Sequence, residues 1–141
     1  MKKPGFLFIV FFLATNLFAQ TGQVDVTISG IEVEKGGIVK IGVYNTDGFP
    51  IVGNEVTGKD IKVTESKVRV TIEDLPIGAY ALAIFQDTNS DGKLNSNLFG
   101  APKEPYGFSR NRYGTFGPPD FEDVSFKIES DNSTSLTINL E

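Results

Sequence analysis

Valine and isoleucine recur at every second position in several short windows, and that period of two restricts the chain to β structure more than any other feature does. Val24, Val26 and Ile28 alternate with Asp25, Thr27 and Ser29. Val39, Ile41 and Val43 alternate with Lys40, Gly42 and Tyr44, and Val68, Val70 and Ile72 with Arg69, Thr71 and Glu73. Successive strand side chains point to opposite faces, so each window presents one apolar and one polar face. Lys35-Gly36-Gly37 lies between the first two windows and predicts that they form a hairpin. The turn formers Asn45 to Pro50 open a segment without period that runs to Lys59. It reads as a connection crossing the sandwich, pinned by Ile51, Val52 and Val56. Ile61 and Val63 suggest a short edge strand.

Asp74-Leu75-Pro76-Ile77-Gly78 makes a turn, with Pro76 fixing its own φ and Gly78 free to take a positive one. The following run, Ala79 to Gln86, is apolar on both faces, as a central strand is, and too short to favour a buried helix. Phe121 to Ile128 alternates again with Val124, Phe126 and Ile128 on the core side. Ser130 to Ser133 turns, and Leu136, Ile138 and Leu140 mark a last hairpin strand. About seven strands and no convincing helix amount to an all-β fold, a Greek-key β-sandwich.

One stretch breaks the pattern. From Asp87 to Phe121 the chain is too rich in Gly, Pro and Asn for helix or regular strand, and too aromatic for a solvated linker. It reads as one long ordered loop carried by the β scaffold.

The first residues stand apart from the fold. Lys2 and Lys3 precede an apolar run beginning at Phe6, and Ala19 supplies a small residue before a cut. The run is shorter than the roughly 20 residues a spanning helix needs, and Thr15 and Asn16 interrupt it. Residues 1–19 are therefore expected to be a signal peptide and 20–141 a single exported β-sandwich domain, periplasmic or secreted, with no stable membrane span after cleavage. Cysteine does not follow the cut, so no lipid anchor is indicated.

Losing Lys2 and Lys3 from 13 basic residues against 18 acidic ones leaves a net charge of about −7, which disfavours nucleic acid as a partner. The chain has no Cys and no His. Disulfides, thiolate zinc sites and Ser-His-Asp or Cys-His catalysis are thereby excluded, leaving carboxylates, Lys, Tyr and Ser as reactive groups.

Two constellations in the loop carry chemistry. Asp87, Asn89 and Asp91 place oxygen-bearing side chains at alternate positions, with Gly92 sixth, Lys93 offering its carbonyl and Asn95 a further oxygen. A hard cation such as calcium needs that set of ligands. Position twelve is Leu98 rather than a bidentate Glu, so a full site would import a carboxylate such as Glu104, Asp120, Glu122 or Asp123. The plainer reading is that Asp87 and Asn89 close turns through the backbone and Asp91-Gly92 closes a hairpin.

The second constellation sets Phe99, Tyr106, Phe108, Tyr113, Phe116 and Phe121 close to Lys103, Glu104, Arg110 and Arg112. Exposed, such rings stack on a sugar or grip a peptide, with Lys103, Glu104, Tyr106, Phe108, Arg110, Arg112 and Tyr113 as ligand-binding candidates. The stronger expectation is that most of the rings pack over the open end of the sandwich to hold the loop. A catalytic carboxylate pair such as Glu104 and Asp120 is not selected by any spacing, and no enzyme is expected.

Taken in order, D-T-N-S-D-G-K-L-N-S-N, then F-G-A-P-K-E-P-Y-G-F-S, then F-G-P-P-D-F-E-D resembles a family of exported bacterial proteins of unknown function. Its members are small β domains sharing a D-x-N-x-D-G-K-L-D loop, a G-x-P-x-E-x-Y-G-F-S segment and a G-P-P-x-F-x-D-A ending. This chain departs from them at Gln86, where the family often has His, and at Asn95, where it often has Asp. Leu75 to Tyr80 is similar to a turn of transthyretin-like and collagen-adhesin B-type sandwiches, some of which carry comparable calcium loops. The resemblance implies an immunoglobulin-like or transthyretin-like sandwich and an exported location, and it supplies no activity. The expected function is a non-enzymatic binding or structural domain stabilised by calcium in the Asp87–Asn95 loop, with an envelope or extracellular protein or glycan as partner. The alternative is a carbohydrate- or peptide-binding module that uses the aromatic loop 99–121 without metal.

Overall fold

The computed structural model describes residues 20–141 except Asp131, and the expected signal peptide lies outside the described residues. Eight strands form among the described residues: β1 (Thr21–Ser29), β2 (Ile38–Tyr44), β3 (Thr57–Lys62), β4 (Val68–Pro76), β5 (Gly78–Asp87), β6 (Tyr106–Phe108), β7 (Phe126–Ile128) and β8 (Ser133–Asn139). One sheet has the order β4-β1-β8, and the other runs β3-β2-β5-β6 with β7 also paired to β5. Their apolar faces meet in one core. Val24, Val26, Ile28, Ile72 and Ile138 come from the first sheet, and Val39, Ile41, Val43, Leu82 and Ile84 from the second. The windows of period two at Val24–Ile28, Val39–Val43 and Val68–Ile72 therefore form strands as their alternation requires. No helix among the described residues is long and apolar enough to cross a membrane.

Several connections differ from the expectation. β1 and β2 do not form a hairpin, because β1 pairs with β4 and β8 while β2 pairs with β3 and β5. The segment between them carries a 3₁₀ turn at Val33–Lys35 and changes sheets. Its backbone groups find their partner in Gln86 instead of a hairpin ladder. The Gln86 side chain is fully buried; its Oε1 accepts from Glu32 N–H at 2.9 Å, and its Nε2 donates to the carbonyls of Glu32 and Gly36 at 2.8 and 2.7 Å.

The stretch from Asn45 does not cross the sandwich either. β2 and β3 are antiparallel neighbours, and consecutive turns fold the chain back: Phe49 N–H donates to the Asn45 carbonyl, and Ile51 N–H to that of Gly48. Ile51, Val52 and Val56, expected to pin this segment, are exposed. Phe49 does the pinning, with its ring edge-on to Tyr44, Phe108 and Phe121.

The expected strand from Phe121 is broken. One helical turn, α1 (Phe121–Val124), precedes β7, and the alternation stops at Ser125 because Val124 and Phe126 serve different clusters. β8 forms no hairpin with β7; it lies parallel to β1, with Val26 opposite Leu136 and Ile28 opposite Ile138. The turn before β8 thus carries the chain from one sheet to the other.

β5 is central, between β2 and β6, as its apolar faces predict. Leu82 and Ile84 enter the main core, while Ala81 and Ala83 face outward, under a second cluster.

Candidate functional site

Asp87 ends β5, and its side chain is the post on which the following turn closes. The carboxylate is buried, with Oδ1 accepting from Asp91 N–H at 3.1 Å and Oδ2 from Gly92 N–H at 2.7 Å. Gly92 has a φ of +78°, the left-handed conformation that suits glycine. Above this post three side chains meet. Asp91 Oδ2 accepts from the amide nitrogens of Asn89 and Asn95 at 3.2 and 3.0 Å, and the Asn89 amide also donates to Asn95 Oδ1 at 3.1 Å. Asp91 Oδ1 accepts from Lys93 N–H at 2.9 Å. The Asn95 amide and then the Lys93 N–H hold the Asp91 carboxyl below its ordinary range. The side chains of Asp87, Asn89, Asp91 and Asn95 are thus drawn into one turn, where the sequence puts them. The same bonds give the plainer turn-closing reading its geometry.

Glu104 reaches this loop too. It is buried, with Oε1 accepting from the N–H and the hydroxyl of Thr88, both at 2.9 Å, and Oε2 from Asn95 N–H at 2.9 Å. Both oxygens are therefore committed to bracing the two ends of the loop. Asp120, Glu122 and Asp123 are exposed, at and just before α1. Leu98, at position twelve, is fully exposed. Among the described residues no group of three or more acidic side chains is gathered closely enough to hold a metal. The oxygen donors are those a hard cation takes, and with two carboxylates they fit a weak site better than a tight one.

The seven ligand-binding candidates do not share one surface. Tyr106, Phe108 and Tyr113 pack edge-to-face on one another with ring centroids 5.5 to 6.2 Å apart. With Phe49, Phe121 and Val124 they cover Ala81 and Ala83 on the outer face of β5, so the loop closes over a sheet face rather than the open end of the sandwich. Glu104 is buried below the Asp-rich turn, while Lys103, Arg110 and Arg112 are exposed. Burial, and then the charge of Glu141, push the Tyr113 phenol up to about 12. Its hydroxyl donates to the Asn139 carbonyl at 2.8 Å, tying the loop to β8.

Ser109 clips the loop at a point no motif signalled. Fully buried, it accepts from Leu82 N–H at 2.9 Å and donates to the Val124 carbonyl at 2.5 Å, joining β5 to α1. Gly107 beside it has no room for a side chain, since a Cβ there would meet Ile138 Cγ2 at 2.9 Å. Gln86 was also missed as an organiser. Its signal was its parity, a polar side chain on the face of β5 that otherwise carries Leu82 and Ile84. A groove of about 440 Å³ runs over the outer face of the second sheet, between Gly42, Gly58 and Ala83 and the side chains of Tyr44 and Glu55. The Tyr44 hydroxyl donates to Glu55 Oε1 at 3.0 Å there.

Two sheets on one core, with a carboxylate-closed loop and an aromatic cover on one face, define an all-β domain whose distinctive chemistry lies in its longest connection. Residues 26–136 match the model of a family described as an uncharacterized protein conserved in bacteria (DUF2141), and the chain belongs to that family. No curated protein and no solved structure shows a significant match to it.

Proposed function

We propose that this chain is an exported sandwich of the Greek-key, transthyretin-like kind that binds rather than catalyses, and that calcium in the Asp87–Asn95 loop fixes the segment it presents to a partner. The observation that carries the reading is the closure of Asp91 and Gly92 N–H on buried Asp87, which gathers Asn89, Asp91 and Asn95 above it. Asp87, Asn89, Asp91 and Asn95 would hold the ion through side-chain oxygens and Lys93 through its carbonyl. The ion would supply positive charge against Asp87 and Asp91 and stiffen the turn. For the amides of Asn89 and Asn95 to serve, each must turn its oxygen inward, exchanging bonds to Asp91 for bonds to the ion. With two carboxylates and no bidentate Glu, the expected affinity is that of extracellular modules, a Kd of about 10⁻⁴–10⁻³ M. Export is supported by the basic, apolar and small-residue order of the first 19 residues.

Thermal unfolding in calcium and in chelator tests the metal. At about a hundred times Kd, calcium adds roughly 2.7 kcal/mol by mass action. The expected outcome is a raised midpoint that Asp91→Ala abolishes, Asp91 being exposed and dispensable to the core. A midpoint indifferent to both additions would leave the loop as a turn alone. Under the second reading, sugar or peptide held by the 99–121 loop without metal, Phe99 and Phe116 are the rings left exposed.

A further inference from the structure

Beyond the Asp-rich turn the chain makes a tight hairpin from Asn95 to Lys103. Lys103 N–H donates to the Asn95 carbonyl and Asn97 N–H to that of Ala101, each at 2.8 Å, and Ser96 pairs with Pro102. The tip is closed by its own backbone and one amide. Gly100 N–H donates to the Asn97 carbonyl at 3.0 Å, and Asn97 Oδ1 accepts from Phe99 N–H at 2.9 Å and Ala101 N–H at 3.0 Å. The side chains of Leu98 and Phe99 take no part in that closure. They are 101% and 94% exposed, so an internally bonded turn holds two large apolar side chains wholly in water. Single exposed apolar residues are ordinary on a surface; two in succession on a shaped tip, without packing partners, are a feature that needs a use.

Charge points to the kind of partner. From Lys93 to Lys103 the chain carries two lysines and no acidic residue, although its net charge is −5. Both lysines are exposed. Size discriminates further. A stable protein interface takes about 800 Å² from each partner, far more than two side chains on a projecting turn supply. Entry into a bilayer interface needs only apolar groups to pass the headgroups and basic groups to meet their phosphates. We propose that the Leu98–Phe99 tip inserts into the surface of a bilayer containing anionic phospholipid, with Lys93 and Lys103 at the level of the headgroups. Asp91 is the exposed acid nearest in sequence and opposes this contact. Calcium bound beside it would remove the opposition, but insertion rests on the tip and does not require the metal. Two inserted residues make the attachment weak and reversible.

The chain has no tryptophan, so Phe99→Trp gives a single reporter at the tip. The full chain is expressed, its amino terminus defined by mass spectrometry, and it is mixed with vesicles of equal parts phosphatidylglycerol and phosphatidylcholine, or of phosphatidylcholine alone. A blue shift of the Trp emission, larger on the anionic vesicles, is expected. In co-sedimentation Leu98→Ser and Phe99→Ser each weaken binding about tenfold or more. Lys93→Gln and Lys103→Gln each weaken it about fivefold on anionic vesicles only. The circular dichroism of each variant should match the parent, because the tip is closed by Asn97 and the backbone. Emission that ignores vesicles, or Ser variants that sediment as fully as the parent, overturns the proposal. So does a shift produced by added envelope proteins and not by lipid, which assigns the tip to a protein pocket. Runs in calcium and in chelator separate the two readings: vesicle binding unaffected by either supports insertion by the tip alone, while the metal stands or falls by the unfolding midpoint.

Discussion

Single buried polar side chains do most of the organising around the long connection. Asp87 and Glu104 accept five hydrogen bonds between them, four from backbone N–H groups. An acceptor of this kind is difficult to replace. In Glu104→Gln one carboxylate oxygen becomes an amide NH₂, which cannot accept from Asn95 N–H if the other oxygen stays on Thr88. The variant should lose about 1–3 kcal/mol in chemical unfolding. Exchange of the amide protons at Thr88 and Asn95 should quicken. A variant as stable as the parent, with both protons still protected, would mean that Glu104 is no brace. The sequence made Asp87 legible as a side chain that closes its own turn, but showed Glu104 only as a carboxylate near the loop and not as the acceptor of Thr88 and Asn95 N–H. That role depends on burial, and burial depends on where β5 ends.

Strands with one apolar face were legible because period two is a local signal, and β1, β2 and β4 lie where it places them, while β5 was marked by a run apolar on both faces. Their connections were not. The Lys35-Gly36-Gly37 turn suits a hairpin, yet Gly37, with φ +84°, lies so close to the Asp87 carbonyl that a Cβ would stand 2.1 Å from it. A crossover packed that tightly uses glycine for closeness, which reads in sequence like a tight turn. The aromatic cover was half legible: rings beside Gly and Pro announced packing, but which surface they cover depends on Ala81 and Ala83 facing outward. Phe49, 72 residues before the first residue of α1 (121 − 49), completes the cluster. Phe49→Ala should therefore loosen three elements together. A loss of about 2–3 kcal/mol is expected, less than the roughly 3–5 of a fully buried ring, because Phe49 is only half-buried. Altered near-ultraviolet circular dichroism from Tyr106 and Tyr113 should accompany it. Unchanged stability would show that the cover stands without this ring.

At the scale of the whole molecule, titration reports how the tyrosines are packed, Tyr80 in the main core and Tyr113 in the cover. Burial raises the Tyr44, Tyr80 and Tyr113 phenols above the ordinary 10.0, with the Tyr44–Glu55 bond adding to the first. The folded state therefore holds these protons more firmly than the unfolded chain. Their contribution is complete below pH 10.0 and is lost as pH rises toward the folded values, about 12 for Tyr113. Stability should fall across that window, with tyrosinate absorbance lagging free tyrosine. Tyrosines that ionise at pH 10.0 in the folded protein would contradict the packing. At the acid end Asp25 is lowered, first by its bond from Ser133 and then by that from Thr71, and Asp91 by Asn95 and Lys93. Those contributions stand above the unfolded value of 3.8 and are lost as pH falls through the lower folded values.

The sequence alone determined the all-β character, the central place of β5 and the order inside the Asp-rich turn. Each of these follows from side chains a few residues apart, acting through alternation or through hydrogen bonds to their own neighbourhood. Tertiary structure alone decided that β8 lies parallel to β1, that Gln86 carries the crossover between sheets, and that the aromatic rings cover the outer face of β5. These outcomes join residues tens of positions apart. No local pattern specifies them; they are set by which buried surfaces and unpaired backbone groups remain to be satisfied once the strands have formed.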